Sequence, residues 1–97
     1  MLAKKHRLNS VQFNAVFKGG KKKHGKDFMI IYVTSDETRL AVTISKKKAK
    51  KAVERVRVRR QIYEYIRKNL LQNMSGSYIV MAKEKEFDLS ELDSLLT

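Results

Sequence analysis

The sequence predicts an α+β protein in which helices pack against a small sheet, in the order α-β-β-β-α-β-α. Apolar residues form short runs or alternate in some segments, recur at helical spacing in others, and are separated mainly by glycines, since the chain has no proline. The chain has 97 residues, of which 42% are hydrophobic and 33% charged. This composition fits one modest core, so we expect a single domain over residues 1–97.

The first predicted helix begins at a capping residue, Asn9 or Ser10, and ends at the glycine pair 19–20. Its apolar side chains recur at helical spacing and are, in order, Phe13, Val16 and Phe17. Taken alone, the two phenylalanines favour core packing over base stacking. The basic segment 21–26 follows, and we expect a connection there with a short edge strand.

The next two apolar segments predict strands of different kinds. Residues 28–34 lack alternation, which is typical of a strand buried on both faces. Residues 39–45 alternate, with large side chains on one face and only the small Ala41, Thr43 and Ser45 on the other. The polar tetrad 35–38 between them predicts a hairpin turn. The small-residue face leaves room for a closely packed helix or for a ligand, and the pattern alone favours neither.

The segment from residue 50 to 73 has the spacing of a long helix with one apolar stripe and a basic opposite face. The stripe consists of Val58, Ile62, Tyr65, Ile66, Asn69 and Leu70. A further strand is predicted at 78–82. The sequence of residues 88–91 is a capping box, which predicts a last short helix.

Charge is the most informative feature of the composition. Lysine and arginine number 22 against 10 acidic residues, a formal net charge of +12. Self-repulsion at this density costs stability, so we expect a polyanionic partner, with nucleic acid favoured over an anionic membrane surface. The cations concentrate in residues 46–68, where Glu64 is spaced to bridge Arg60 and Lys68. Acidic residues concentrate from position 84 onward.

Two parts of this cationic segment predict phosphate contacts. The lysine run at 46–51 precedes a helix N-terminus, where cations oppose the helix dipole, so a purely structural explanation is weak. In the helix, arginines alternate with valines, and arginine offers a planar bidentate fork to phosphates and guanine edges. The candidate binding residues are Lys46, Lys47, Lys51, Arg55, Arg57, Arg59 and Arg60.

Several functions are disfavoured by what the sequence lacks. Without cysteine there is no disulfide or thiolate metal site, and His6 and His24 have no nearby carboxylate pair, so we expect no protein-held metal. No nucleotide-binding loop, nucleophile motif or pair of metal-binding carboxylates is evident, and we assign no catalytic residue. The apolar run 28–33 is too short to span a bilayer, and no signal core follows the N-terminus. We therefore expect a cytoplasmic protein.

Composition and patterning leave three further classes open. An RNA-binding module without processing activity, such as a ribosomal protein or an RNA chaperone, would share the charge and the fold. A DNA-binding architectural protein is disfavoured by the small-residue sheet face and by the lack of an apparent dimerisation element. A membrane-surface protein is disfavoured because the apolar stripe of the long helix is needed for the core.

Four blocks of the sequence together resemble the protein subunit of bacterial ribonuclease P, in the same order and at the same spacing over nearly the whole chain. The blocks span Arg7–Gly19, Arg39–Lys47, Lys51–Arg60 and Tyr78–Lys83. Four positions depart from the family pattern: Ile31 replaces an aromatic found in some members, Ala49 a glycine, Val56 the signature asparagine and Tyr63 a basic residue.

The resemblance implies a fold with a left-handed βαβ crossover, and an endonuclease activity whose chemistry is carried by a partner RNA. That activity is hydrolytic removal of the 5′ leader from precursor tRNA, with Mg²⁺ held mainly by the RNA. The cationic residues named above would dock on the catalytic RNA. The leader would lie in a cleft lined by Phe13, Phe17, Thr43, Ser45 and Lys83. The implied partners are therefore the catalytic RNA and precursor tRNA, with no membrane and no protein partner expected.

Overall fold

The computed structural model describes residues 7–96, which form a four-stranded sheet with three α-helices. The elements are α1 (Ser10–Gly19), β1 (Lys21–His24), β2 (Phe28–Val33), β3 (Arg39–Ile44), α2 (Ala52–Asn69), β4 (Ser77–Ala82) and α3 (Glu91–Leu95). A 3₁₀ turn at Leu71–Asn73 follows α2. The predicted α+β class and the predicted order of elements are confirmed.

The strand order across the sheet is β1-β2-β4-β3. Strand β4 pairs antiparallel with β2 and parallel with β3, so β3, α2 and β4 form a βαβ unit. The hairpin predicted at 35–38 is therefore wrong, because β4 lies between the two strands that this turn connects. Ile79 and Val80 are fully buried on opposite faces of β4, and a central position in the sheet provides that burial. The handedness of the crossover stays a prediction of the resemblance.

The sheet has two apolar faces of unequal size. On the larger face, the big side chains of β3 and alternate residues of β2 and β4 pack against α2 and α3. On the smaller face, Val16 of α1 packs against Ile31 and Ile79. Strand β2 thus contributes to both clusters, as its lack of alternation predicts.

Helix α2 is shorter than the predicted segment because its last turns give way to the 3₁₀ turn. Most of the predicted stripe is buried, but Asn69 is exposed and its side-chain amide donates to the Tyr65 carbonyl at 3.0 Å. Tyr63 is buried although the predicted stripe does not include it. No helix within residues 7–96 is long and apolar enough to cross a membrane.

The capping box predicted at 88–91 is wrong, because neither of its two reciprocal bonds between Asp88 and Glu91 is formed. The Asp88 carboxylate accepts hydrogen bonds from the backbone N–H and the hydroxyl of Ser90, at 3.0 and 2.7 Å. The Glu91 carboxylate instead accepts the N–H groups of Asp27 and Phe28, at 3.0–3.3 Å. Gly25 leaves space for that carboxylate, which a β-carbon would occupy. Glu91 therefore fastens the β1–β2 turn rather than its own helix start.

Candidate nucleic-acid interface

The connection between β3 and α2, residues 45–51, is a tight turn that the core holds in place. We call it the lysine turn. The N–H groups of Lys48 and Ala49 both donate to the Ser45 carbonyl, at 3.2 and 3.1 Å. The Ala49 side chain, at a position where the resemblance implies that glycine is usual, is fully buried and belongs to the core. The turn leaves three predicted binding residues exposed, namely Lys46, Lys47 and Lys51.

The predicted arginines of α2 differ in how far the fold already uses them. Arg57 and Arg60 are exposed. Arg55 is half-buried, and its Nη1 donates to the carbonyls of Ala49 and Lys50 at 2.9 and 3.0 Å. Arg55 therefore ties the lysine turn to the first turns of the helix, and only part of its guanidinium is left for a ligand.

Arg59 is also half-buried and lies near the hydroxyl of Tyr63, as does Arg7. That hydroxyl accepts the backbone N–H of Val42 in β3 at 3.3 Å. Burial raises the pKa of Tyr63 and outweighs the opposing effects of the Val42 hydrogen bond and the two arginines. Tyr63, where the resemblance implies that a basic residue is usual, is thus a core side chain whose hydroxyl accepts the N–H of a strand residue.

Acidic side chains pair with some of the cations around this surface. Lys48 Nζ lies 2.8 Å from Glu84 Oε1, and Lys85 Nζ lies 3.2 Å from Glu54 Oε2. The Glu54 carboxylate also accepts the Lys51 N–H, and this bond, followed by the one from Lys85, lowers its pKa. These pairs hold residues 84–85 against the lysine turn and the start of α2.

The ion pair of Glu64 differs from the one that the sequence predicts. Its carboxylate lies 2.8 Å from Arg67 Nη2, three residues along α2, rather than bridging Arg60 and Lys68. The hydrogen bond from Arg67 is the largest influence that lowers the pKa of Glu64, to about 2. Arg60 therefore stays on the exposed face of the helix, available for a phosphate.

The second surface lies on the smaller face of the sheet, beside α1. Near the start of the helix, the N–H of Leu8 donates to the Leu40 carbonyl of β3 at 3.1 Å. At its other end, the backbone of Gly20 lies so close to Ile31 of β2 that a β-carbon would not fit. Helix α1 therefore crosses the strands and covers one row of neighbours, which consists of Ala41, Ile79 and Ile31.

The adjacent row of the same face is less covered. The strand register aligns Thr43 with Met81, Met81 with Met29, and Met29 with His24. Three of these side chains are half-buried, whereas His24 on the edge strand is exposed. We call these four residues the open row. On the small-residue face of β3, Ala41 packs against the cluster that contains Val16 of α1, and Thr43 is half-buried in the open row, so a close helix contact is shown for Ala41 and a ligand at Thr43 stays a prediction.

Thr43 belongs to the open row, and the other predicted cleft residues differ in exposure and in what they contact. Phe13 is half-buried against the cluster of Val16, Ile31 and Ile79, which we call the α1 cluster. Phe17 is 47% exposed. Their rings stack with centroids 6.2 Å apart and an interplanar angle of 14°. Ser45 is exposed just beyond β3. Lys83 follows β4, and its Nζ donates to the Gly25 carbonyl at 2.6 Å.

Met29 and Met81 cannot be identified as partly exposed residues from the sequence, because each lies in an apolar strand whose pattern is typical of a core. Only the pairing of β2 with β4 shows that they are neighbours beside Thr43. Among residues 7–96, no three histidine, aspartate or glutamate side chains lie close enough to hold a metal ion, and His6 is outside that range.

Comparison with known proteins points to one family. The family model described as Ribonuclease P matches residues 2–96. The ribonuclease P protein component of Finegoldia magna is 30% identical over 89 residues, covering 88% of this chain and 78% of the relative. That of Microcystis aeruginosa is 38% identical over 78 residues, covering 73% of this chain and 65% of the relative.

Solved structures share the fold. The ribonuclease P protein of Thermotoga maritima superposes with a TM-score of 0.78 at 24% identity, over 93% of this chain and 94% of that protein. The Staphylococcus aureus RNase P protein gives a TM-score of 0.75 at 22% identity, over 92% of this chain and 86% of that protein. At these identities the likeness concerns the architecture alone.

Proposed function

The chain belongs to the ribonuclease P protein component family, and we propose that its two surfaces bind different RNAs. Members of the family are the protein part of an endoribonuclease and partner the ribonuclease P RNA. The lysine turn and the arginines of α2 dock on that RNA. The open row and the phenylalanines of α1 receive the 5′ leader of precursor tRNA.

The observation that carries the proposal is that one small domain presents a dense cationic surface on α2 and, on the opposite face of the sheet, a row of half-buried side chains beside α1. The exposed side chains of the cationic surface are held by a turn that the core fixes, so they approach a phosphate backbone with little reorganisation. Contacts of this kind give strong, salt-dependent affinity without reading sequence. A folded RNA that presents many phosphates fits this surface.

The open row and the phenylalanines of α1 together form the proposed groove. Its composition is suited to binding single-stranded RNA. Exposed aromatic rings stack on unpaired bases, and every base offers a face for stacking, so the contact tolerates sequence changes. Phe17 presents such a ring, and it stacks on Phe13, which packs against the same apolar cluster as the polarisable side chains of Met29 and Met81. Thr43 and Ser45 add little bulk. The ammonium of Lys83 lies past the end of β4, where it can meet a leader phosphate.

The partner RNA carries the chemistry. Mg²⁺, held mainly by that RNA, would supply the activation of water that hydrolysis of the bond between leader and tRNA requires. The protein's own residues neutralise phosphates of both RNAs and hold the leader in place. Because the product lacks the leader, these contacts stabilise precursor more than product, and mature tRNA with a trimmed 5′ end leaves.

The test is leader cleavage of a precursor tRNA by bacterial ribonuclease P RNA at low Mg²⁺, with and without the protein. We expect strong stimulation that is lost in Arg57→Glu/Arg60→Glu, because reversing two exposed cations repels the catalytic RNA. The control is Lys21→Glu, compared with Arg57→Glu alone, because it reverses one charge on the edge strand β1 outside both surfaces and keeps the stimulation.

Two outcomes contradict the proposal. Stimulation that survives in Arg57→Glu/Arg60→Glu would mean that α2 does not dock on the catalytic RNA. Tight, salt-sensitive RNA binding without any stimulation would instead identify an RNA-binding module that takes no part in processing.

A further inference from the structure

The edge strand β1 uses its two faces differently. Strand pairing alternates its side chains, so Lys21 and Lys23 share the face of α3, whereas Lys22 and His24 share the face of α1. Lys23 is committed to the fold, because its Nζ lies 3.5 Å from the Leu95 carbonyl and 5.4 Å from the centroid of the Tyr32 ring.

The other two side chains are not used in this way. Within residues 7–96, Lys22 and His24 make no side-chain hydrogen bond or ion pair, and both are exposed. His24 is the last member of the open row, next to Met29. Lys22 lies one row away, beside the end of α1, because it pairs with Ile31. The groove therefore ends at a cation and an aromatic ring.

We propose that Lys22 and His24 extend the leader-binding surface across β1 to nucleotides beyond those at the centre of the groove. This inference rests on the proposed binding of the leader in the open row. The Lys22 ammonium contacts a backbone phosphate, and the His24 ring stacks on an unpaired base.

The distance across the sheet determines which leaders reach this rim. Three strand spacings of about 4.8 Å separate β3 from β1, so the open row is ~14 Å long. A stacked strand that rises about 3.4 Å per nucleotide crosses it in about four nucleotides. If the leader enters at β3, next to the cationic residues that follow this strand, short leaders stop over the methionines and only longer ones gain the contacts from β1.

A purely structural explanation of these lysines makes a different prediction. Charged side chains on an edge strand prevent pairing with other chains, and they do so from either face of the strand. Lys21 and Lys22 would then be equivalent, since both are exposed on the same short strand. A role in leader binding makes them unequal.

The experiment measures the affinity of the protein–RNA complex for precursor tRNAs with no leader, a leader of about two nucleotides and one of about eight. We expect the affinity of the unsubstituted complex to rise at both steps. In Lys22→Ala/His24→Ala the second rise should shrink by about fivefold or more, the loss of one stacking contact, while the first rise is kept. Lys21→Ala, on the opposite face, should match the unsubstituted complex.

The possible failures are distinguishable. Equal affinity of the unsubstituted complex for all three RNAs would overturn the proposed leader binding itself. Affinity that rises with leader length equally in Lys22→Ala/His24→Ala would overturn only the role of β1. An equal loss in Lys21→Ala would also overturn it, because general edge-strand charge would then explain the effect. Thermal unfolding of each variant alone checks that the exposed substitutions leave the fold intact.

Discussion

The cationic surface on α2 and the groove beside α1 consist of different types of residue. The first presents lysines and arginines on a turn and a helix that the larger core anchors. The second is lined by methionines, phenylalanines and small polar residues, with the Lys83 ammonium at one end. Charge gives affinity that falls steeply with salt, whereas stacking depends little on salt. The two surfaces should therefore be separable by ionic strength.

The largest effect is expected for Arg57→Ala/Arg60→Ala on binding to the catalytic RNA. Each arginine that contacts a phosphate contributes about one unit to the slope of log K against log salt concentration, so the slope should become shallower by about two units. Binding at low salt should weaken by about 3 kcal/mol, from two lost charge-assisted hydrogen bonds. Titrations at several salt concentrations measure both. An unchanged slope would show that these side chains do not meet phosphates.

A smaller effect of another kind is expected for Phe17→Ala. Loss of one stacking contact should weaken precursor binding to the complex by about 1–3 kcal/mol and leave mature tRNA binding unchanged. The salt slope should stay the same, which distinguishes this change from the arginine variants. Phe13→Ala should weaken precursor binding similarly, but it should also lower the free energy of unfolding, since Phe13 packs against the α1 cluster. Equal weakening for precursor and mature tRNA would argue against a leader groove.

The elements of the fold follow from local patterns, but their arrangement does not. Periodicity and glycine positions predict each helix and strand to within a few residues. The turn at 35–38 looks like a hairpin because nothing local shows that β4 will lie between β2 and β3. Met29 and Met81 become neighbours only through the pairing of β2 with β4. Their position side by side in the groove therefore could not be predicted from the sequence.

The cationic surface shows the same limit at single residues. The arginines of α2 are alike in sequence, yet Arg55 bonds two carbonyls of the preceding turn while Arg57 faces solvent. Tyr63 looks like a lost RNA contact when compared with the family pattern. In the fold it is a buried side chain that accepts a strand N–H. Residue type identifies the cationic surface, but packing determines which of its side chains stay free to contact RNA.

The smallest expected effect is a difference in folding stability between variants of Arg55 and Arg57. It tests whether Arg55 stabilises the fold while Arg57 does not. Arg55→Ala removes two hydrogen bonds to the carbonyls of Ala49 and Lys50, so the free energy of unfolding should fall by about 1–2 kcal/mol. Arg57→Ala should stay within about 0.5 kcal/mol, as surface substitutions usually do.

Urea unfolding of both variants measures these differences, and Arg55→Lys is the control that keeps the charge but loses the planar fork. If the fork stabilises the turn, Arg55→Lys should resemble Arg55→Ala in stability. Unchanged stability in both Arg55 variants, together with a shallower salt slope in Arg55→Ala equal to that of Arg57→Ala, would contradict the structural role. Arg55 would then be an RNA contact like its neighbour, and the lysine turn would owe its shape to Ala49 and Ser45 alone.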